Sequence, residues 1–262
     1  MVEFWRSTAL PHVEARRSCQ VNSCYRQHAH DAFSIGLIDE GTSILSGPIE
    51  GVIHLEAGDV VVIPAGQVHA CNPEKSRWLY QMIHVDQGWA ASLSTQGESS
   101  RLFTRIAVLR RPHLRDRVAD LLAGMIADDS REGIMAAFGT VLTTLEAVPA
   151  TYVAGTSADP ELLVRLRPVL ERLRHDSVNP TLDALAATVG MSRHQLDRAM
   201  RRATGLTPLA WRQNARVVEA RHLLRSGMPI AEAACALGFT DQSHFHRVFR
   251  AHVAATPGAY QG

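Results

Sequence analysis

RAMRRATGLTPLAW, residues 198–211, returns 49 residues later as RVFRAHVAATPGAY, residues 247–260. The two stretches share two arginines, a Thr-Pro pair and a final aromatic residue. The matching positions are Arg198/Arg247, Arg201/Arg250, Thr207/Thr256, Pro208/Pro257 and Trp211/Tyr260. Upstream, AATVG ending at Gly190 matches ACALG ending at Gly238. Self-similarity at a fixed period indicates one supersecondary element that is present twice.

Each copy predicts a helix, a tight turn and a second helix. In the first copy, apolar residues recur at helical spacing over residues 182–189, Gly190 suits a left-handed helix end, and Ser192 suits the N-cap of the next helix. In the second copy, Pro229 starts a helix that ends at Gly238, and Thr240 or Asp241 caps the next one. The sequence therefore predicts two helix-turn-helix motifs.

The second helix of each copy carries polar residues once its buried positions are set aside. They are Arg193, His194, Asp197 and Arg198 in the first copy and Gln242, Ser243, His246 and Arg247 in the second. Such donors and acceptors at the start of a helix suit base edges and phosphates in a major groove. The alternative is that both surfaces are simply solvated, but their duplication at a fixed period favours DNA binding.

The charge distribution supports a polyanionic partner. From Glu161 to the end there are 14 arginines against 8 acidic residues, whereas residues 1–160 hold 13 basic and 18 acidic residues. A basic C-terminal part beside an acidic N-terminal part makes double-stranded DNA a candidate partner for the former.

IAEAACALGFTDQSHFHRVFRAHVAATP (residues 230–257) resembles the C-terminal signature of the AraC/XylS family of transcriptional regulators, and LDALAATVGMSRHQLDRAMRRATGLTP (residues 182–208) resembles the family's first helix-turn-helix. The resemblance implies an all-α DNA-binding domain of seven helices at residues 161–262, with a long helix over residues 208–225 between the two motifs. Two positions depart from the family pattern, namely Ala254 in place of a glycine and Gln261 in place of a basic residue.

The N-terminal part reads as a β domain. Short apolar runs such as FSIGLI, VVVIP and WLYQMIHV are separated by Gly, Pro, Asn and Asp between residues 18 and 86. HAHDAF (residues 28–33) and the spacing of Gly58, Pro64, Gly66, His69 and Asn72 resemble the two cupin motifs, as in the sensor domains of many AraC-type regulators. The resemblance implies a cupin-like β-barrel at residues 1–150.

A small-molecule effector is expected to contact five residues of this barrel: His28, His30, His69, Trp78 and Tyr80. Trp78, Tyr80 and Met82 alternate along one strand, so one face of it is large and apolar, as in a ligand pocket.

Metal-dependent cupins add an acidic ligand after the histidine pair, but Phe33, Ser34 and Ile35 stand at those positions. Three converging imidazoles can still bind zinc, so a metal site is the alternative. We expect that no metal and no cofactor is needed.

Two amphipathic helices are expected over residues 114–125 and 134–145, where apolar residues recur at three and four positions. If a barrel already closes its own core, their apolar stripes need a partner, which predicts a homodimer through residues 102–148. The alternative is that the two helices pack on the barrel. TYVAGTSADP, residues 151–160, is small and polar and is expected to be the linker.

Together these features predict an α+β protein of two domains: a cupin-like β-barrel with dimerisation helices, and an all-α domain with two helix-turn-helix motifs. The predicted function is an effector-responsive, DNA-binding transcriptional regulator without catalytic activity. The four cysteines lack zinc-site spacing, and no secretory signal or membrane span is evident, so the cytoplasm is the expected location. The rival hypotheses are a metal-dependent cupin enzyme with an accessory helical domain, and a DNA-binding protein whose barrel serves only for oligomerisation.

Overall fold

The computed structural model describes residues 2–7, 10–21, 25–47, 51–74, 77–154, 159–176 and 178–262. The chain divides into two compact units. The first contains residues 1–24 and 30–156, and the second contains residues 25–29 and 157–262. Part of the expected linker, residues 155–158, lies outside the described residues, so the domain limits at residues 150 and 161 stay a prediction.

The first unit is built from ten described strands in two antiparallel sheets. The strands are β1 (Val2–Ser7), β2 (Leu10–Val21), β3 (Phe33–Glu40), β4 (Thr42–Ser46), β5 (Val52–Glu56), β6 (Val60–Ile63), β7 (Ala70–Pro73), β8 (Arg77–Val85), β9 (Ala107–Leu109) and β10 (Tyr152–Val153). The larger sheet has the order β1-β2-β8-β3-β6-β9-β10, and the smaller has the order β5-β4-β7. Because the described edge strands do not pair with the other sheet, the expected barrel is an open two-sheet β domain.

One face of the larger sheet is apolar and packs on helices. Residues point alternately to the two faces of a strand, and Phe33, Ile35 and Leu37 of β3 lie on the same side as Ile83 and Val85 of β8. All five belong to the main hydrophobic core of the unit, which also contains residues of the helices that follow the strands.

The opposite face of the larger sheet, called here the inner face, is also mostly buried and combines polar with apolar side chains. Its residues include Phe4 and Arg6 of β1, Glu14, Arg16, Ser18 and Gln20 of β2, Ser34, Gly36 and Ile38 of β3, Val61 and Ile63 of β6, and Trp78, Tyr80, Met82 and His84 of β8. At Gly36, an added Cβ would lie 2.7 Å from Met82 Sδ, so a larger residue there would require the Met82 side chain to move. Buried polar groups need partners, and a face of this kind is a candidate ligand site.

Three α-helices complete the first unit: α1 (Gln87–Leu93), α2 (Pro112–Ile126) and α3 (Arg131–Ala147). The apolar stripes of α2 and α3 are buried in the same core as the sheet, through residues such as Leu114, Val118, Phe138 and Leu142. The expectation that these stripes need a second chain is therefore wrong, because the apolar face of the sheet already covers them.

The described part of the second unit contains seven helices, as the family resemblance implied. They are α4 (Pro160–His175), α5 (Leu182–Thr188), α6 (Arg193–Thr204), α7 (Pro208–Arg225), α8 (Ile230–Ala236), α9 (Gln242–Val253) and α10 (Pro257–Gln261). The repeated Thr-Pro pair has the same role twice. Thr207 and Thr256 accept hydrogen bonds from backbone amides as the N-caps of α7 and α10, and each is followed by proline as the first helical residue.

The two copies differ where α6 and α9 end. Gly205 terminates α6 in the left-handed conformation, with φ of 76°, and Ala254 terminates α9 in the same conformation, with φ of 52°. An alanine there carries a steric cost that a glycine avoids.

Within the described ranges, no helix combines the length and the apolar character that a bilayer span requires.

Candidate nucleic-acid interface and ligand-binding face

The first helix-turn-helix motif consists of α5 and α6. Gly190 takes the left-handed conformation in the turn, with φ of 64°. Ser192 and Gln195 then form a reciprocal capping box at the start of α6. Leu196 and Met200 are buried against α4 and α5. This packing fixes which face of α6 is exposed.

Two of the four residues predicted to read DNA from α6 are already paired with side chains of the same motif. Arg193 donates to both carboxylate oxygens of Asp183 on α5, and Arg201 donates to Asp197 at 2.9 Å. Arg193, His194 and Arg198 are exposed, whereas Asp197 is half-buried. Among the described ion pairs, neither His194 nor Arg198 takes part.

The second motif consists of α8 and α9. Gly238 forms its turn with φ of 67°, and the Asp241 carboxylate accepts the backbone amide of His244 as the N-cap of α9. Gln242, Ser243 and Arg247 are exposed. In the described part of the chain, they form no ion pair that would compete with a nucleic acid.

His246 is less exposed than the other predicted DNA-binding residues of α9. The residue is half-buried, and its Nε2 is fully buried with no hydrogen-bond partner among the described residues. The ring therefore points partly into the helical core, where Phe245 lies at a centroid distance of 6.2 Å. The sequence pattern did not reveal this, because a polar residue next to a buried position can turn either way.

The long helix α7 is anchored by two buried arginines that sequence analysis did not single out. Arg212 is 2% exposed and donates to the backbone carbonyls of Leu173 and Asp176, behind α4. Arg221 is 7% exposed and donates to the Tyr260 hydroxyl at 3.2 Å. Burial lowers the pKa of Arg212, and the Asp176 carboxylate partly opposes this. Arg212 therefore holds α7 to the C-terminal end of α4, and Arg221 holds it to α10.

Three further exposed arginines lie on α6 and α9, at Arg201, Arg202 and Arg250. Arg201 and Arg250 are matched positions of the repeat, and this match could have identified them as candidate DNA-contacting residues. Arg165 of α4 shares a shallow groove with Gly190, Gln195 and Arg198 beside the first motif. This groove is basic and lies next to the exposed turn, as a phosphate-binding surface requires.

In the first unit, His30, His69 and His84 come together at one end of the inner face. The ring of His30 lies 5.0 Å from that of His69 and 4.7 Å from that of His84, between centroids. His84 Nδ1 is hydrogen-bonded to the Ser34 hydroxyl at 2.8 Å. His84 was not predicted, although it follows the alternation of Trp78, Tyr80 and Met82 along β8.

His69 is held in a neutral state. Its Nδ1 lies 2.9 Å from the backbone carbonyl of Gln67, and burial lowers its pKa to about 4 although this hydrogen bond acts in the opposite direction. His28 does not belong to the first unit. It lies in the segment 25–29 of the second unit, with Nδ1 2.7 Å from the Arg26 carbonyl and its ring stacked on Tyr25.

Potential metal ligands gather around His30 and His69, and among the described residues this grouping consists of histidines without a carboxylate. Imidazole nitrogens alone can hold zinc. The donor set thus permits a metal, but it lacks the acidic ligand of the metal-dependent cupin pattern.

Trp78 and Tyr80 lie on the inner face at the other end of β8. Their rings are stacked at a centroid distance of 4.1 Å, and both side chains are buried. Arg16 of the neighbouring strand lies with its guanidinium carbon 5.6 Å from the Tyr80 ring and 5.4 Å from the Phe4 ring. A cation between two aromatic faces is favourable, more so when buried.

The predicted effector residues of the first unit are spread along the inner face. His84 and Trp78 are six residues apart on β8, which corresponds to about 20 Å at about 3.3 Å per residue. A molecule that contacts both Trp78 and the histidines would have to extend over most of this distance, so a single contact site for all of them stays a prediction. The sequence pattern showed that these residues share a face but not how far apart they lie.

Comparisons with known proteins agree with both halves of the chain. A family model described as an AraC-like ligand binding domain matches residues 10–142, and one described as a helix-turn-helix domain matches residues 185–262. The uncharacterized HTH-type transcriptional regulator YbfI of Bacillus subtilis is 28% identical over 239 residues, which cover 89% of this chain and 86% of the relative. The arabinose operon regulatory protein of Salmonella typhimurium is 24% identical, with 78% and 74% covered.

Among solved structures, unsaturated fatty acid bound ToxT from Vibrio cholerae matches with a TM-score of 0.58 and 12% identity, covering 100% of this chain and 94% of that chain. At this identity the match shows a shared fold.

Proposed function

Because the chain belongs to the AraC family of DNA-binding transcriptional regulators with an N-terminal ligand-binding domain, we propose that its second unit reads one continuous promoter site through both helix-turn-helix motifs. The observation that carries this proposal is the equivalence of Arg198 and Arg247. Each is the exposed sixth residue of its helix, α6 or α9, and each helix is oriented by an N-cap and a buried apolar face.

The length of α7 suits this mode of binding. Its 18 residues span about 27 Å at about 1.5 Å per residue. Major-groove segments on one side of a duplex recur at about 34 Å. Since the two motifs are copies within one chain, their half-sites are expected to be arranged directly rather than inverted.

The two half-sites are expected to differ in sequence. His194 and Asp197 accompany Arg198, whereas Gln242 and Ser243 accompany Arg247. His246, half-buried, contributes less than its position in the repeat predicted. Selection from a random duplex pool by the full-length protein tests the proposal. Two unlike half-sites should be enriched at physiological salt, and the absence of any enriched sequence would overturn it.

We further propose that the first unit binds a small-molecule effector on its inner face without requiring a metal. Buried polar and aromatic side chains on this face, including Tyr80 and Trp78, support this.

The rival hypothesis of a cupin enzyme rests on the histidine grouping, whereas the two relatives named above are transcriptional regulators. Elemental analysis of protein purified without added metal discriminates between them. Near-stoichiometric zinc, iron or manganese that is lost in a His69→Ala variant would favour the enzyme.

We also propose a homodimer that forms through the solvent-exposed face of α3, because the apolar stripe of α3 is buried in the core of its own unit. Ala136, Thr140 and Thr143 are exposed there, and both threonine hydroxyls donate to carbonyls of their own helix. A small, uncharged face without unmet hydrogen bonds suits close helix packing. Sedimentation of the full chain should show a dimer that Ala136→Arg converts to a monomer. A wild-type monomer at tens of micromolar would contradict the proposal.

As a regulator of promoter DNA, the protein is proposed to act in the cytoplasm.

A further inference from the structure

Two buried polar atoms of the first unit have no hydrogen-bond partner among the described residues. One is Nε1 of Trp78, whose side chain is 2% exposed, and the other is Oγ of Ser43, which is fully buried. A buried donor without an acceptor is costly, and such groups are rare in native proteins, so each one calls for a physical explanation such as contact with water, an ion or a ligand.

The two atoms lie at the same end of the β domain. β3 turns into β4 at Gly41, where an added Cβ would lie 3.3 Å from the Cα of Trp78. Ser43 follows two residues later and faces the interior, because it is fully buried like Leu45 and alternates with the half-buried residues Thr42, Ile44 and Ser46 of β4. This end of the domain is distant from the histidines at the other end of β8.

Three of the inner-face residues given above are charged: Arg6, Glu14 and Arg16. Arg6 and Glu14 form an ion pair at 2.8 Å and lie level with His84, whereas the Arg16 guanidinium extends to Tyr80, so Arg16 is the one of the three that lies nearest to Trp78. Arg16 is 7% exposed, and its Nε donates to Ser18 Oγ at 2.7 Å, which fixes the plane of the guanidinium between the two aromatic rings. A guanidinium and an indole nitrogen can only donate hydrogen bonds.

We propose that this end of the inner face is an anion subsite that binds the carboxylate of a small organic effector, with Trp78 Nε1 and Ser43 Oγ as donors and Arg16 as the positive charge. The inference rests on the proposed function, because it names the ligand class of the same sensor domain. The indole N–H of Trp78 and the guanidinium of Arg16 cannot accept a hydrogen bond from a ligand amine, and the positive charge of Arg16 disfavours a cation. The aromatic rings of Tyr80 and Trp78 provide the apolar wall for the rest of the molecule.

Thermal unfolding of the full chain tests the proposal with matched probes. Benzoate, phenylacetate and butyrate are compared with benzyl alcohol, 2-phenylethanol and butanol, and with benzylamine, at equal concentration and ionic strength. A ligand that binds only the folded state raises the unfolding temperature. At least one carboxylate should raise it, and its alcohol and amine counterparts should not.

Three variants connect the effect to the site. Trp78→Phe keeps the stacked ring but removes the N–H, and Ser43→Ala removes the hydroxyl. Each should weaken binding of the responding carboxylate by about tenfold. Arg17→Met is the matched control, because Arg17 is the next residue of β2 but is exposed on the opposite face. It should leave the affinity unchanged.

Failure of every carboxylate, an equal response to the alcohols, or full retention of affinity in both Trp78→Phe and Ser43→Ala would overturn the anion subsite. None of these outcomes affects the selection of DNA sequences by the second unit, so failure of the subsite is distinguishable from failure of the proposed function.

Discussion

Arg193 of α6 donates through Nε and Nη2 to the two carboxylate oxygens of Asp183 on α5, so a residue predicted to contact DNA is paired within its own motif. Both side chains are exposed. The hydrogen bond from Arg193 lowers the pKa of Asp183, and the same bond raises the pKa of Arg193. The pair therefore stays charged at neutral pH, and the Asp183 carboxylate competes with a DNA phosphate for the Arg193 guanidinium.

Asp183→Asn should release Arg193 for the duplex. We expect tighter DNA binding and a dependence of log K on log salt concentration that is steeper by about one, because one more phosphate is neutralised. Fluorescence anisotropy at several KCl concentrations measures both quantities. Glu219→Gln, an exposed change of the same charge on α7, is the control. If the two variants steepen the salt dependence equally, the effect is one of net charge and not of the released arginine.

Arg198→Ala and Arg247→Ala should act on different halves of the selected site. Each should cost about 1–3 kcal/mol of binding free energy and relax base preference in one half only. Repeated sequence selection with each variant measures this. Arg167→Ala, an exposed arginine of α4, should leave both halves unchanged. Relaxation of the same base positions by both variants would refute the bipartite arrangement.

Arg212→Met should destabilise the second unit. The substitution keeps an unbranched apolar stem but leaves the carbonyls of Leu173 and Asp176 without this donor, at a cost of about 2–4 kcal/mol in the free energy of unfolding. Urea unfolding measures the loss. Arg225→Met, at the exposed end of the same helix, should change the free energy of unfolding by less than about 0.5 kcal/mol. Equal effects of the two variants would show that the buried anchor is not what stabilises α7.

Ala254→Gly should stabilise the protein. Ala254 holds a left-handed conformation with φ of 52° that glycine adopts without strain. Relief of that strain, less the extra entropy of glycine in the unfolded chain, should add up to about 1 kcal/mol. Ala255→Gly is the control, because Ala255 is the next residue, is buried and has no positive φ. It should destabilise, and a loss of stability in both variants would show that Ala254 is not strained.

His69 should make the protein less stable in mild acid. Burial holds its pKa at about 4, whereas the unfolded chain has the ordinary value of 6.5. Between these values the unfolded state binds the proton and the folded state does not, so the free energy of unfolding falls as the pH is lowered from 6.5 to 4, by at most about 3 kcal/mol. Urea unfolding over this range should show a flatter pH dependence for His69→Gln. The exposed His113→Gln should retain the wild-type slope, and an unchanged slope in His69→Gln would contradict the burial effect.

The sequence by itself determined the architecture of the second unit. Helix starts and ends depend on local chemistry. Ser192 and the threonines of the Thr-Pro pairs accept hydrogen bonds from backbone amides at helix starts, and Gly190 and Gly238 adopt the left-handed conformation in the turns that follow α5 and α8. The sequence repeat then indicated that the helix-turn-helix motif is present twice. Local signals of this kind require no knowledge of distant contacts, so the two motifs were predicted correctly.

The sequence also determined that β8 has two different faces, because alternation along a strand is local. It did not show that the stripes of α2 and α3 pack on the sheet of their own unit, nor that the strands form two open sheets. Both outcomes depend on which surfaces meet over long separations in the chain.

Only the tertiary structure decided which charged and polar groups are available. Arg193 and Asp183 are ten residues apart and meet because α5 and α6 pack across a turn, and His246 turns its Nε2 inward. Trp78 and Ser43 are 35 residues apart and belong to different sheets, yet their atoms, which have no hydrogen-bond partner among the described residues, lie at the same end of the β domain. A residue type tells which hydrogen bonds a side chain can form, but its neighbours in the folded chain decide which of them are already made.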